Sequence, residues 1–200
     1  MTFAAIVLAG GAARRLGGVA KPLLTVEGTA LLTRVLTAVA DARPRIVVGQ
    51  VASLPADVLI TVENPPGSGP VPALRAGVAL LPDDVETVAI LAADLPFLTD
   101  GTVRALRTAL GENEAAVLLD AEGRRQHLVA YWRVGALRAA LETRSPRVRD
   151  LYPVRTAEAH PAQARLPEYL DCDTPADLEL ARRLAAQNPS ASSSPRTAGR

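Results

Sequence analysis

Residues 8–22 read Leu-Ala-Gly-Gly-Ala-Ala-Arg-Arg-Leu-Gly-Gly-Val-Ala-Lys-Pro and follow the apolar run Phe3–Val7. A buried strand that ends in paired glycines brings backbone N–H groups close to a ligand, and such donors suit phosphate oxygens. Arg15 and Lys21 add the positive charge that a polyphosphate needs. The spacing is not that of a P-loop, which sets Gly-Lys-Ser/Thr together. It is not the dinucleotide fingerprint Gly-x-Gly-x-x-Gly either, because Ala12 and Ala13 stand in the wrong places. Asp94 lies in Ala92-Ala93-Asp94-Leu95-Pro96-Phe97, at the carboxyl end of another apolar run. A carboxylate there is either a turn or cap residue or an oxygen ligand for a hard cation such as Mg²⁺. Asn64–Pro70 is dense in glycine and proline, and is either a stiff connector or a loop whose backbone reads a base.

These segments need elements to hold them. Phe3–Leu8, Arg45–Val48, Val58–Val62 and Val88–Ala92 read as strands. Between them, Leu31, Leu32, Val35, Leu36 and Val39 share one helical face, and Pro72–Leu81 reads as a second helix. Thr99 is placed to cap a third helix carrying Val103, Leu106 and Leu110. Ala115–Leu119 and Leu128–Trp132 flank a polar turn at Gly123 and predict antiparallel pairing. Val134–Leu141 reads as helix, and Tyr169–Asp171 as a last short strand. Thr174-Pro175-Ala176-Asp177 has the form of a capping box opening a final helix. The alternation predicts an α/β fold of three α/β/α layers, Rossmann-like, with a mostly parallel sheet and one antiparallel strand. Ligands in such sheets bind beyond the carboxyl ends of the strands, so the loops after residues 8, 62 and 92 are expected to line one crevice.

The 200 residues are expected to form one domain, 1–186, with a disordered tail at 187–200 that is rich in Ser, Pro and Ala. A formal net charge of +1 argues against broad binding of nucleic acid. No apolar run is long enough to span a bilayer or to serve as a secretory leader, so the expectation is a cytoplasmic protein without membrane attachment. Cys172 is the only cysteine, so no intrachain disulfide is available. The two histidines, His127 and His160, exclude a histidine-rich metal site.

Leu8-Ala9-Gly10-Gly11 with Arg15, Gly17, Lys21 and Pro22 resembles the signature loop of nucleotidyltransferases that activate sugars and cofactors. Arg14-Arg15-Leu16-Gly17-Gly18 is most similar to that of the molybdenum cofactor guanylyltransferase family. Asp94-Leu95-Pro96-Phe97 resembles that family's Asp-x-Pro-Phe motif, and Pro66-Gly67-Ser68-Gly69-Pro70 its loop beside the base. The likeness runs over roughly residues 3–186. It implies Mg²⁺-dependent transfer of GMP from GTP to the phosphate of a molybdopterin acceptor. Arg15, Lys21 and Asp94 would then be catalytic, and Leu8, Ala9, Gly10, Gly11, Lys21, Gly49, Asn64, Gly67, Gly69 and Asp94 would bind nucleotide. Asp94 would hold the metal, with Asp173 of Asp171-Cys172-Asp173-Thr174-Pro175 as either a second ligand or a residue that merely precedes the helix cap.

Gly123-Arg124-Arg125-Gln126-His127 resembles the family's Gly-Arg-x-Gln-Pro turn and implies contact with the pterin, with Arg124, Arg125, Arg147 and Arg149 offered to its phosphate. The resemblance also implies transient contact with the enzymes that supply or receive the cofactor. Two departures bear on the choice of base: Asn64 stands where the family usually has aspartate, and Gly49 where it has asparagine. Cytidylyl transfer, transfer to another phosphorylated acceptor, and a nucleotide-binding adaptor without turnover therefore stay open.

Overall fold

The apolar runs assemble into one sheet. The computed structural model describes residues 2–10, 21–51, 53–162 and 166–188. Its strands are β1 (Ala4–Leu8), β2 (Thr25–Val26), β3 (Thr29–Ala30), β4 (Arg45–Val48), β5 (Val58–Thr61), β6 (Thr87–Ala92), β7 (Ala115–Leu119), β8 (Arg125–Arg133) and β9 (Thr156–Ala159). Its α-helices are α1 (Leu31–Ala38), α2 (Pro70–Val78), α3 (Asp100–Leu110), α4 (Val134–Ala140) and α5 (Pro175–Gln187). Seven strands form the main sheet in the order β5-β4-β1-β6-β8-β7-β9, and β2 and β3 make a separate hairpin. β1 pairs in parallel with β4 and β6, and β4 with β5. β8 runs antiparallel to both β6 and β7, while β7 and β9 are parallel. β8 is therefore the one reversed strand of this sheet, as the alternation predicts.

Every residue of β1, β4 and β7 is buried, as expected of strands covered on both faces. The pleat divides them between two cores. Ala5 and Val7 of β1 face a cluster with Leu32, Val35 and Leu36 of α1 and Val103, Leu106 and Leu110 of α3. Ala4, Ile6 and Leu8 face Val71, Ala73 and Leu74 of α2 and Leu137 of α4. This gives the three α/β/α layers. A third cluster seats α5 through Leu178, Ala181 and Ala185 against Leu24, Val26, Leu31 and Phe97.

Thr99 caps α3 by accepting the Thr102 N–H. Thr174 and Asp177 form the reciprocal capping box of α5. Three local readings are corrected. α2 begins at Pro70, in the first helical turn after Gly69, which has φ of +105°. A proline with no N–H to lose suits that position. Tyr169–Asp171 is not a strand: the Leu170 N–H returns to the Pro167 carbonyl in a turn, in place of a ladder. β9 lies in a segment where no strand is evident from the sequence. Gln187 closes α5, and residues 189–200 of the expected tail lie outside the described residues.

Candidate active site

The parallel strands end at one edge of the sheet, and the ladder continues a step beyond them. The Ala9 N–H reaches the Val48 carbonyl at 2.8 Å, the Gly49 N–H reaches Thr61 at 2.9 Å, and the Ala93 N–H reaches Leu8 at 3.0 Å. Glu63, Gly49, Gly10 and Asp94 are thus set side by side on successive strand ends. The span from the β5 end to the β6 end is three strand spacings, roughly 14 Å. Because β8 is reversed, its beginning shares this edge, so Arg125, Gln126 and His127 close the far wall. The result is a cleft of about 930 Å³.

At the β6 end, Lys21 stands on a single 3-10 turn, Lys21–Leu23, leading into the β2–β3 hairpin. Its ammonium pairs with Asp94 Oδ2 and, at 2.5 Å, with Asp173 Oδ1. Burial works against the Lys21 charge, but the hydrogen bonds it donates to Asp173 and Asp94 outweigh it and raise its pKa above the usual lysine value. The Cys172 N–H donates to the Asp94 carbonyl at 3.2 Å, which ties the segment before α5 to the end of β6. Thr174 and Asp177 supply the helix cap, so the Asp173 side chain is left for Lys21. Asp171 also lines the cleft, and burial with the neighbouring Asp173 and Asp94 charges pushes its pKa up to about 6. The Cys172 thiol is buried, and burial beside Asp94 lifts it to about 12, so it is no nucleophile.

This end fits a hard divalent cation. Asp94 and Asp173 offer oxygen alone and already share one cationic group, the Lys21 ammonium. Asp94 Oδ1 is buried with no hydrogen-bond partner among the described residues. Among the described residues no set of three or more acidic, histidine or cysteine side chains converges as a cage. Mg²⁺ keeps several waters and takes one or two carboxylates plus substrate phosphate, and Asp94 and Asp173 offer two carboxylates.

At the β5 end the wall is mostly backbone. Gly49 has φ of +149°, and a Cβ there would come within 2.7 Å of the Ala9 carbonyl carbon, so no side chain reaches the cleft from this position. Leu8, Ala9, Gly10, Gly67 and Gly69 line the cleft, as do Lys21, Gly49, Asp94 and Asp173. Asn64 does not: it is exposed and lies off the wall, because the residue after Val62 that turns inward is Glu63. Gly11 and Arg15 lie outside the described residues.

Glu63 is 5% exposed. Its Oε1 accepts the Gly67 N–H at 2.8 Å, while Oε2 is buried without a partner among the described residues. Sequence reasoning passed over Glu63, although it follows an apolar parallel strand and precedes a Gly/Pro loop, the same signal that singles out Asp94.

On the β8 wall, Arg124 turns away from the cleft to Asp120 and Glu122. Asp120 is buried and organises the turn, accepting the amides of Glu122 and Arg124, the Arg124 guanidinium and the Gln126 side-chain amide. Burial opposes its charge, but the Arg124 amide and guanidinium and the Glu122 amide outweigh it and hold its pKa below the usual 3.8. Arg125 lines the cleft and pairs with Glu158. His127 packs edge-on to Tyr152, whose hydroxyl donates to the His127 carbonyl at 2.7 Å. Burial and the nearby Arg125 and Arg149 charges lower the His127 pKa. Arg147 and Arg149 are not on the cleft wall.

Residues 5–164 match the family model of the MobA-like NTP transferase domain. The chain belongs to the MobA-like NTP transferase family. It is a nucleotidyltransferase. A molybdenum cofactor guanylyltransferase of Nitrobacter hamburgensis is 30% identical over 197 residues, covering 90% of this chain and 93% of the relative. In structure, the molybdopterin-guanine dinucleotide biosynthesis protein A of Archaeoglobus fulgidus superposes with a TM-score of 0.70 at 18% identity, covering 92% of this chain and all (100%) of the other. The 2-C-methyl-D-erythritol 4-phosphate cytidylyltransferase of Thermus thermophilus superposes with a TM-score of 0.66 at 21% identity, covering 93% of this chain and 100% of the other. Neighbours named for guanine and for cytidine chemistry thus share the fold of this MobA-like chain, and the fold by itself does not choose the base. Among the described residues no helix is long and apolar enough to cross a membrane.

Proposed function

We propose that this chain transfers GMP from GTP to the terminal phosphate of molybdenum-bearing molybdopterin, with Mg²⁺, to give the guanine dinucleotide and pyrophosphate. The observation that carries the reading is the pairing of Lys21 with both Asp94 and Asp173 at the edge that also presents Gly10. The guanylyltransferase names of relatives that align over nine-tenths of the chain support the substrate class. An acceptor phosphate oxygen attacks the α-phosphorus in line. A new P–O bond forms, the bond from that phosphorus to the α,β-bridging oxygen breaks, and its electron pair leaves with pyrophosphate. No protein nucleophile or base is needed, because the acceptor phosphate is already ionised; positioning and charge do the work. Gly10 and Gly11 cradle phosphate through their amides, Arg15 offsets charge on the leaving pyrophosphate, and Lys21 serves the α-phosphate. Asp94 and Asp173 would hold the magnesium ion, whose charge offsets that of the phosphates when bound. Arg125, Gln126 and His127 stand on the acceptor side of the cleft. The reaction runs in the cytoplasm, with Cys172 as a packed thiol.

The test supplies the purified protein with α-labelled GTP, Mg²⁺ and molybdopterin carrying molybdenum, in parallel with labelled CTP and ATP. Label is expected in the dinucleotide from GTP alone. Incorporation from CTP instead would overturn the guanylyl assignment, and triphosphate binding without release of pyrophosphate would overturn catalysis.

A further inference from the structure

Glu63 has one carboxylate oxygen that the described residues leave unanswered. Oε1 accepts the Gly67 N–H, but Oε2 is buried and has no partner among the described residues, a costly arrangement for an acid that does nothing else. The residue stands on the strand end farthest along the parallel edge from Asp94, where Gly49 and Gly67 put only backbone on the wall. Among the described residues lining this end of the cleft, which include Gln50, Val62 and Pro66, Glu63 is the one charged side chain. With the triphosphate lying toward Lys21 and Asp94, the base of an extended nucleotide falls at the Glu63 end.

Resting on the nucleotidyl-transfer reading above, we infer that Glu63 is the residue that selects guanine, its carboxylate accepting the adjacent N1–H and N2–H donors of the base. Of the common bases, guanine alone sets two neighbouring donors on its pairing edge. Adenine and cytosine set an amino group beside a ring nitrogen lone pair, which would face the carboxylate with like charge. A polar group buried to meet donors rejects a ligand that lacks them far more strongly than an apolar pocket rejects a misfit. Asn64, the position where a base-reading acid is expected from the sequence, is exposed and off the wall.

The experiment measures binding of GTP, ITP, XTP, ATP and CTP with Mg²⁺ by calorimetry to the wild-type protein, Glu63→Gln and Asn64→Asp, with inorganic tripolyphosphate as the probe of the phosphate end. The wild type is expected to prefer GTP to ITP, which lacks the 2-amino group, by about 10-fold, and to ATP and CTP by about 100-fold. Glu63→Gln retains an oxygen for the Gly67 N–H. It is expected to lose about 100-fold in GTP affinity, to narrow the gap between GTP and XTP, whose 2-oxo group accepts from the new amide, and to bind tripolyphosphate as before. Asn64→Asp should leave the ranking unchanged. Equal weakening of all five nucleotides by Glu63→Gln, or an unchanged GTP preference, would overturn the role of Glu63 while leaving guanylyl transfer standing. A wild-type preference for CTP would overturn both.

Discussion

Two glutamates are buried next to the cleft, and they are treated in opposite ways. Glu168, 1% exposed, sits against the start of α3 with both oxygens engaged. Oε1 accepts the Thr99 hydroxyl at 2.5 Å, and Oε2 accepts the Thr102 hydroxyl and, at 3.1 Å, the Ala162 N–H. It joins the chain before α5 to the loop after β6. Glu63, 5% exposed, has one oxygen engaged and one orphaned. A fully answered buried carboxylate strengthens the fold, whereas a half-answered one costs stability, a cost that the ligand proposed above would offset. Asp94 belongs with Glu63, since its Oδ1 is also buried and unanswered. The contrast separates carboxylates answered within the fold from carboxylates that are not.

The largest effect is expected where the orphaned oxygen meets the reaction. Asp94→Asn removes an anionic ligand but keeps the backbone carbonyl that accepts from Cys172. Turnover should fall by about 10³-fold, equivalent to roughly 4 kcal/mol of transition-state stabilisation, with the urea midpoint nearly unchanged. A variant that unfolds more readily instead would move Asp94 into the class of Glu168.

Next in size is the exchange between the two glutamates. Glu168→Ala takes the acceptor from the buried Thr102 hydroxyl and from the Thr99 hydroxyl, and should cost about 3 kcal/mol in urea denaturation while leaving the order of nucleotide preference intact. Glu63→Gln should change stability by less than about 1 kcal/mol, since the Gly67 N–H keeps its acceptor and an uncompensated charge is gone. If both variants lose the same stability, the division between the two acids fails.

The same distinction explains what could be read without coordinates. β4 was legible to the residue because Arg45–Val48 follows Pro44 as an unbroken apolar-flanked run, and α3 and α5 announced themselves through Thr99 and Thr174. β9 was not legible: Thr156–Ala159 is a short edge strand, largely uncovered, with neither alternation nor an apolar run. In the site, Lys21, Asp94 and Asp173 were singled out by residue type and position, and the structure brings all three together. Glu63 was missed because composition marks an acid in a loop as solvated. Which of two adjacent polar residues turns inward depends on how Val58–Thr61 is seated against β4, and that is a tertiary fact. The Arg124 reading erred for a related reason: a charged turn residue was offered to a ligand when a buried acid, Asp120, already held it.

Asp120 tests the answered class by pH, with the smallest expected effect. Its carboxylate is held below the usual 3.8 by the Arg124 amide and guanidinium and the Glu122 amide, which outweigh burial. In the unfolded chain it returns to about 3.9. A carboxylate with a depressed folded pKa stabilises the protein fully above the unfolded value, and that contribution is lost as pH falls through the folded value. The stability gap between wild type and Asp120→Asn should therefore be widest near pH 6 and shrink as pH falls below about 3.8, where protonation makes the two side chains alike. Asn keeps an oxygen for the Glu122 and Arg124 amides, so the gap reports the charge and not the turn geometry. Urea denaturation at a series of pH values reads it directly. A gap that stays constant on acidification would mean that the Arg124 guanidinium, which is largely exposed, contributes only through shape, and that being answered by hydrogen bonds is not what makes this carboxylate stabilising.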